Sequence, residues 1–125
     1  MNSIKLTWQN SETIPLKLWS NGEQLKLGND DYLVFTVREK VANLNDDEYL
    51  IRKVIEATAY NEELGFYPVD ILPTDTEEVE LNNYDDKKYY RYDITLYNHS
   101  STSIERTLIK GDCIIGWRAS KEDDT

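Results

Sequence analysis

The chain has 125 residues, 24 acidic and 14 basic, for a formal net charge of −10. One domain of that length hides roughly two-thirds of its unfolded surface, enough for a core without staples. So acidic a surface repels phosphate backbones and anionic headgroups, which excludes nucleic acid and membrane as expected partners, and no apolar run nears the ~18 residues that a bilayer span needs.

The opening residues alternate, with Ile4, Leu6 and Trp8 on one face against Lys5 and Thr7 on the other, as in a half-buried strand. A turn over residues 9–12 follows. Leu16 and Leu18 then alternate with Lys17 and Trp19 in a second strand. If the leucines point inward, Trp19 points out. Asn21-Gly22 is the strongest short hairpin signal in the chain. After a loop over residues 28–31, Tyr32 to Arg38 reads as a third strand with Leu33, Phe35 and Val37 on one side.

Residues 46–64 carry two patterns at once. Leu50, Ile51, Val54, Ile55 and Thr58-Ala59 recur at helical spacing, with Asn45 or Asp46 as a cap and Gly65 as a stop. The β-branched Ile51, Val54, Ile55 and Thr58 favour a strand instead. Periodicity alone tips slightly toward helix. Val69 to Leu72 is a short strand that Pro73 ends, since proline cannot donate to a ladder. Thr74 stands three residues before Glu77, a capping-box spacing that predicts one helical turn over residues 74–79. Asp75 and Thr76 are expected to fold that turn by accepting bonds from backbone N–H groups a few residues on.

Lys88 to Tyr97 is the best strand pattern. Tyr90, Tyr92, Ile94 and Leu96 share one face; Tyr89, Arg91, Asp93, Thr95 and Tyr97 share the other. Asp93 is expected to pair with a lysine or arginine across the sheet. Residues 98–103 read as a polar hairpin loop, with the chain returning over residues 104–109. Gly111 marks a bulge or bend. Cys113, Ile115 and Trp117 then lie on one face, and residues 120–125 form a loose acidic tail. About seven strands with regular turn signals make a β-sandwich over residues 1–119.

No catalytic constellation emerges. The single histidine, His99, and the single cysteine, Cys113, supply too few ligands for zinc, and Cys113 precedes the apolar Ile114-Ile115 rather than an electropositive cleft. Asp30-Asp31, Asp46-Asp47-Glu48 and Asp85-Asp86 lack calcium-loop spacing and read as solvated loops. The chain is therefore expected to be no enzyme, with no cofactor and no metal. With one cysteine and no apolar signal stretch in Met1–Lys5, it is expected to be made in a reducing cytoplasm. Three tryptophans and nine tyrosines supply aromatic surface, and the interface candidates are Trp19 first, then Tyr89 and Tyr97 on the outward face of the best strand.

Three stretches, Ile71-Leu72-Pro73-Thr74-Asp75-Thr76, Tyr90-Arg91-Tyr92-Asp93-Ile94 and Arg106-Thr107-Leu108-Ile109-Lys110-Gly111, together resemble the N-terminal domain of phage baseplate upper proteins, a family of prophage tail proteins of Gram-positive bacteria. Its pattern is a leucine strand, a Pro-x-Asp-Thr turn, a Tyr-x-Tyr-Asp-Ile strand and a Thr-Leu hairpin followed by glycine. The match covers about half the chain, and Leu50-Ile51-Arg52-Lys53 resembles a further strand of the family. Asp86-Lys87-Lys88 replaces the family's glycine before the tyrosine strand, and the 125 residues hold no long fibre-carrying region.

The resemblance implies an all-β fold, an immunoglobulin-like antiparallel β-sandwich of about seven strands with one short helical turn, and it turns residues 50–58 into a strand. It implies a structural adaptor that docks onto other tail or baseplate proteins, with a homo-oligomeric ring possible, and a place in the virion tail after synthesis in the bacterial cytoplasm. The alternative from the aromatic content is a carbohydrate-binding module for host wall glycans.

Overall fold

The computed structural model describes residues 3–39, 49–83 and 86–117. The predicted acidic tail, the Asp46-Asp47-Glu48 cluster and Asp85 lie outside the described residues. The described chain is all-β, and its only helical pieces are two single 3₁₀ turns, Ala57–Ala59 and Pro73–Asp75. Nine strands form among the described residues: β1 (Ile4–Thr7), β2 (Glu12–Leu16), β3 (Leu18–Ser20), β4 (Glu23–Leu25), β5 (Asp31–Glu39), β6 (Ile51–Glu56), β7 (Tyr67–Ile71), β8 (Lys87–Asn98) and β9 (Ser101–Gly116).

Five of them make one sheet in the order β1-β9-β8-β5-β6. β8 and β9 run antiparallel as one long hairpin, and β5 and β6 follow antiparallel on the far side. β1 joins β9 in parallel, so the sheet is mixed, and this pairing departs from the expected antiparallel arrangement. β2 and β7 form a separate antiparallel ribbon, and β3 and β4 a small hairpin.

The predicted alternation explains the layers. Leu33, Phe35 and Val37 of β5, Tyr92 and Ile94 of β8, and Cys113 and Ile115 of β9 point to one face and are buried. Leu16 of β2, and Tyr67, Val69 and Ile71 of β7, join them in one continuous core, closed by Val79 and Leu81 from the segment after β7. The β2–β7 ribbon is thus the second layer of the sandwich. Pro15 faces Pro68 across it. Each of those strands is an edge, where a missing N–H is tolerated and discourages further pairing. The edge strand β6 carries the half-buried Lys53, whose Nζ lies 2.7 Å from Asp75 Oδ2. A charge tucked inward on an edge strand opposes edge-to-edge association in the same way.

Local expectations fare unevenly. Asn21 and Gly22 adopt φ of 52° and 83°, the left-handed pair that a tight two-residue hairpin needs. Residues 51–56 are strand, not helix; pairing with β5 buries Ile51 and Ile55, and their β-branched side chains suit that pleat. Lys17 interrupts the single strand expected over Leu16–Trp19, because Leu16 pairs with β7 while Leu18 pairs with β4. Thr74 is not a cap. The 3₁₀ turn begins one residue earlier, and Asp75 closes it by accepting the Leu72 N–H at 2.7 Å. Thr76 is buried and accepts the Gln9 N–H at 2.7 Å, tying this turn to the end of β1. Asp75 therefore closes the turn, though by accepting from three residues back rather than a few residues on, whereas Thr76 docks the turn on the chain after β1 instead of bonding within it.

The β8–β9 loop is only His99-Ser100, shorter than the polar loop expected, because Ser101 to Ser103 already belong to β9. The bulge also moves. Gly111 pairs in register with Tyr92, whereas Ile109 pairs with Ile94 and Thr107 with Thr95, leaving Leu108 as the extra residue.

Candidate binding groove on the outer sheet face

The residues that alternate with the core positions meet on the opposite face of the sheet. Paired positions set them in rows across four strands. Arg52, Thr36, Asp93 and Lys110 form one row. Val54, Val34, Thr95 and Thr107 form the next, and Glu56, Tyr32, Tyr97 and Glu105 the third. Arg38, Arg91 and Asp112 lie beyond the first row. The face is concave and encloses a groove of about 440 Å³. Its floor, Val34, Thr36 and Thr95, is buried although it lies on the outer side, and the charged side chains stand around it.

The floor is wired by polar contacts. Arg38 Nη1 lies 2.8 Å from Asp93 Oδ2, with both side chains mostly buried. The register sets Asp93 opposite Thr36, so Arg38 reaches it diagonally. Thr95 donates its hydroxyl to the second Asp93 oxygen at 3.2 Å and stands 3.3 Å from the Thr107 hydroxyl. Both oxygens of Asp93 are therefore engaged. At the far end Tyr97 stacks on Tyr32 with ring centroids 5.5 Å apart, and Tyr32 stacks on His99 at 4.2 Å. His99 Nε2 lies 2.8 Å from Glu56 Oε1, which anchors the end of the stack. Burial raises the Tyr97 pKa, the nearby Glu105 and Asp93 charges raise it further, and Arg52 acts in the opposite sense.

The three interface candidates separate. Trp19 sits on β3 and is 61% exposed. Its hairpin is anchored through buried Leu18 and through Gln24, whose amide donates to the Gly65 carbonyl and, at 3.3 Å, to the Tyr60 hydroxyl. Tyr89 is exposed on the same outer face but beyond the groove, eight residues along β8 from Tyr97, or roughly 26 Å. Tyr97 is half-buried in the groove wall. Only Tyr97 belongs to the groove.

Cys113 lies in the core on the opposite face, and burial, with a smaller effect of Glu12, pushes its thiol up to about 12. A thiol so protonated is a poor nucleophile. The acidic pair Asp30-Asp31 is used locally. Asp31 accepts from the Gly28 N–H at 3.1 Å and the Asn98 amide at 2.8 Å, and Asp30 accepts the Ser100 hydroxyl at 2.6 Å. No group of metal-ligating side chains occurs among the described residues.

Sequence reasoning expected a lysine or arginine partner for Asp93 without naming Arg38, and did not gather Arg52, Thr36, Glu105, Thr107 and Lys110 into one surface. Alternation along β5 and β8 held part of the signal; the rest needed the register of β6 and the bulge at Leu108. No protein-family model, curated protein or solved structure matches the chain.

Proposed function

We propose that the protein is a docking module of the phage baseplate kind that its turn and strand motifs resemble, joining other tail or baseplate components through protein contact. The observation that carries this reading is Trp19, a large apolar ring left 61% exposed on a hairpin that is itself fixed to the body. Leu25 of the same hairpin is 42% exposed, and Leu64, next to the Gly65 that Gln24 holds, is 61% exposed. Indole and leucine surface displayed on an anchored element suits an interface in which a few aromatic residues supply most of the affinity. The net charge of −10 would steer such a domain toward a basic partner face.

The test pairs the full chain with the products of genes flanking its own. Wild type is expected to co-elute with a tail or baseplate protein, and Trp19→Ala to lose that partner while keeping its melting temperature. If Trp19→Ala unfolds the chain, or if wild type stays alone beside every such product, the reading fails.

A further inference from the structure

The groove on the outer sheet face is a second surface, independent of Trp19. We propose that it binds an acidic oligosaccharide, with the anionic group held by Arg52 and Lys110 and a sugar ring lying against Tyr97.

Shape comes first. About 440 Å³ of concavity over a buried floor falls within the range of small-ligand sites. Most such sites are lined by apolar side chains, whereas this one is ringed by charged and hydroxyl groups. A ligand entering it must return hydrogen bonds at many points or leave them unmade at a cost. Saccharides do so through several hydroxyls on each ring.

Charge narrows the class. The Asp93 carboxylate is committed to Arg38 and to the Thr95 hydroxyl. Arg52 and Lys110, at the two ends of the same row, form no hydrogen bond or ion pair among the described residues. Two uncommitted cations on one concave surface, in a chain of charge −10, favour an anion there rather than elsewhere on the molecule. Glu105, at the other end, is placed to accept sugar hydroxyls.

The aromatic wall supports the same ligand. Tyr32 lies between Tyr97 and His99, so Tyr97 ends the stack and Tyr32 covers only one of its faces. A half-buried ring held in place by stacking is a rigid platform for the C–H face of a sugar. An extended acidic peptide is disfavoured. β5 and β8 are paired on both sides, so the floor offers no free main-chain ladder for strand addition.

Carboxylate and phosphate share the required chemistry, and the experiment separates them. The full chain is titrated with trigalacturonate, maltotriose 1-phosphate, neutral maltotriose and triglutamate, read by amide chemical shifts and calorimetry. One or both acidic sugars are expected to bind about tenfold tighter than maltotriose, with shifts over residues 34–38, 52–54, 93–97 and 105–110. Which one binds tells carboxylate from phosphate. Arg52→Gln and Lys110→Gln are each expected to lower that affinity about tenfold and to reduce its salt dependence, with the circular dichroism spectrum unchanged. Tyr97→Ala should weaken acidic and neutral sugars alike, and Trp19→Ala should change neither. Equal binding of maltotriose, equal or tighter binding of triglutamate, indifference to the Arg52 and Lys110 substitutions, or no binding up to ~10 mM would each overturn the proposal.

Discussion

The two faces of one sheet do opposite things with the same strands. Along β8, Tyr92 and Ile94 enter a dry core while Asp93, Thr95 and Tyr97, one step away in each case, build a polar groove. Along β5, Phe35 is fully buried between Val34 and Thr36, which floor the groove. The inner face is held by area removed from water, which is additive and tolerant of chemistry. The outer face is held by geometry, since an engaged carboxylate such as Asp93 loses its value when any one partner moves. Burial alone does not separate core positions from groove positions here. Thr36 is as hidden as many core residues, yet the side chains around it line an open polar groove.

That contrast can be broken in order of effect. Phe35→Ala should cost the most, about 3–5 kcal/mol by denaturant unfolding, because it opens a cavity among residues too well packed to collapse. A loss below ~1 kcal/mol would show that the inner face is not the main source of stability. The second test uses alkali. The Cys113 thiol sits at about 12 in the folded chain against an ordinary 9.0, so between those values the unfolded chain has lost a proton that the folded chain keeps. Its contribution is fully present below pH 9 and is lost as pH rises toward 12. Tyr90 and Tyr92, also raised by burial, act in the same direction. Denaturation midpoints should therefore fall steadily above pH 9, and Cys113 should resist iodoacetamide at pH 8 until the chain unfolds.

A smaller effect sharpens the outer face. A double-mutant cycle with Arg38→Ala and Asp93→Ala should return a coupling of about 1 kcal/mol, above that of exposed pairs because both side chains are mostly buried. No coupling would mean that the pair positions nothing. The smallest effect belongs to Lys26, which is exposed, ion-paired to Glu62 at 2.8 Å and 4.8 Å above the Tyr60 ring. Lys26→Ala should leave the melting temperature nearly unchanged, and a clear drop would show that the β3–β4 hairpin is held more by charge than by Leu18.

Much of the inner face was legible because period-two alternation is a local signal. Leu33, Phe35 and Val37, and Tyr92 and Ile94, announce their side without reference to any partner strand. The Asn21-Gly22 hairpin was equally local. The outer groove was harder for two physical reasons. Arg52 lay in a segment whose apolar spacing suits a helix; its β-branched residues and the family resemblance pointed to strand, and the register that pairs Ile51 and Ile55 with β5 could not be read from the sequence. Lys110 shares a face with Glu105 and Thr107 only because Leu108 bulges and shifts the parity by one. A glycine at 111 offers a more obvious break, and sequence carries no mark that the ladder gives way three residues sooner. Pairing is a property of two strands, and the chain displays one at a time.

The parallel seam between β1 and β9 has a bearing on how the molecule comes into being. It joins Ile4 to Cys113, so β1 must wait through a long stretch of following chain, which includes every other strand of its sheet, before it finds its neighbour. Until then the Leu6 face and one rim of the sheet stay open, exposed to aggregation and to holding chaperones. Slow maturation, dominated by this last long-range closure, is the kinetic signature such a topology carries.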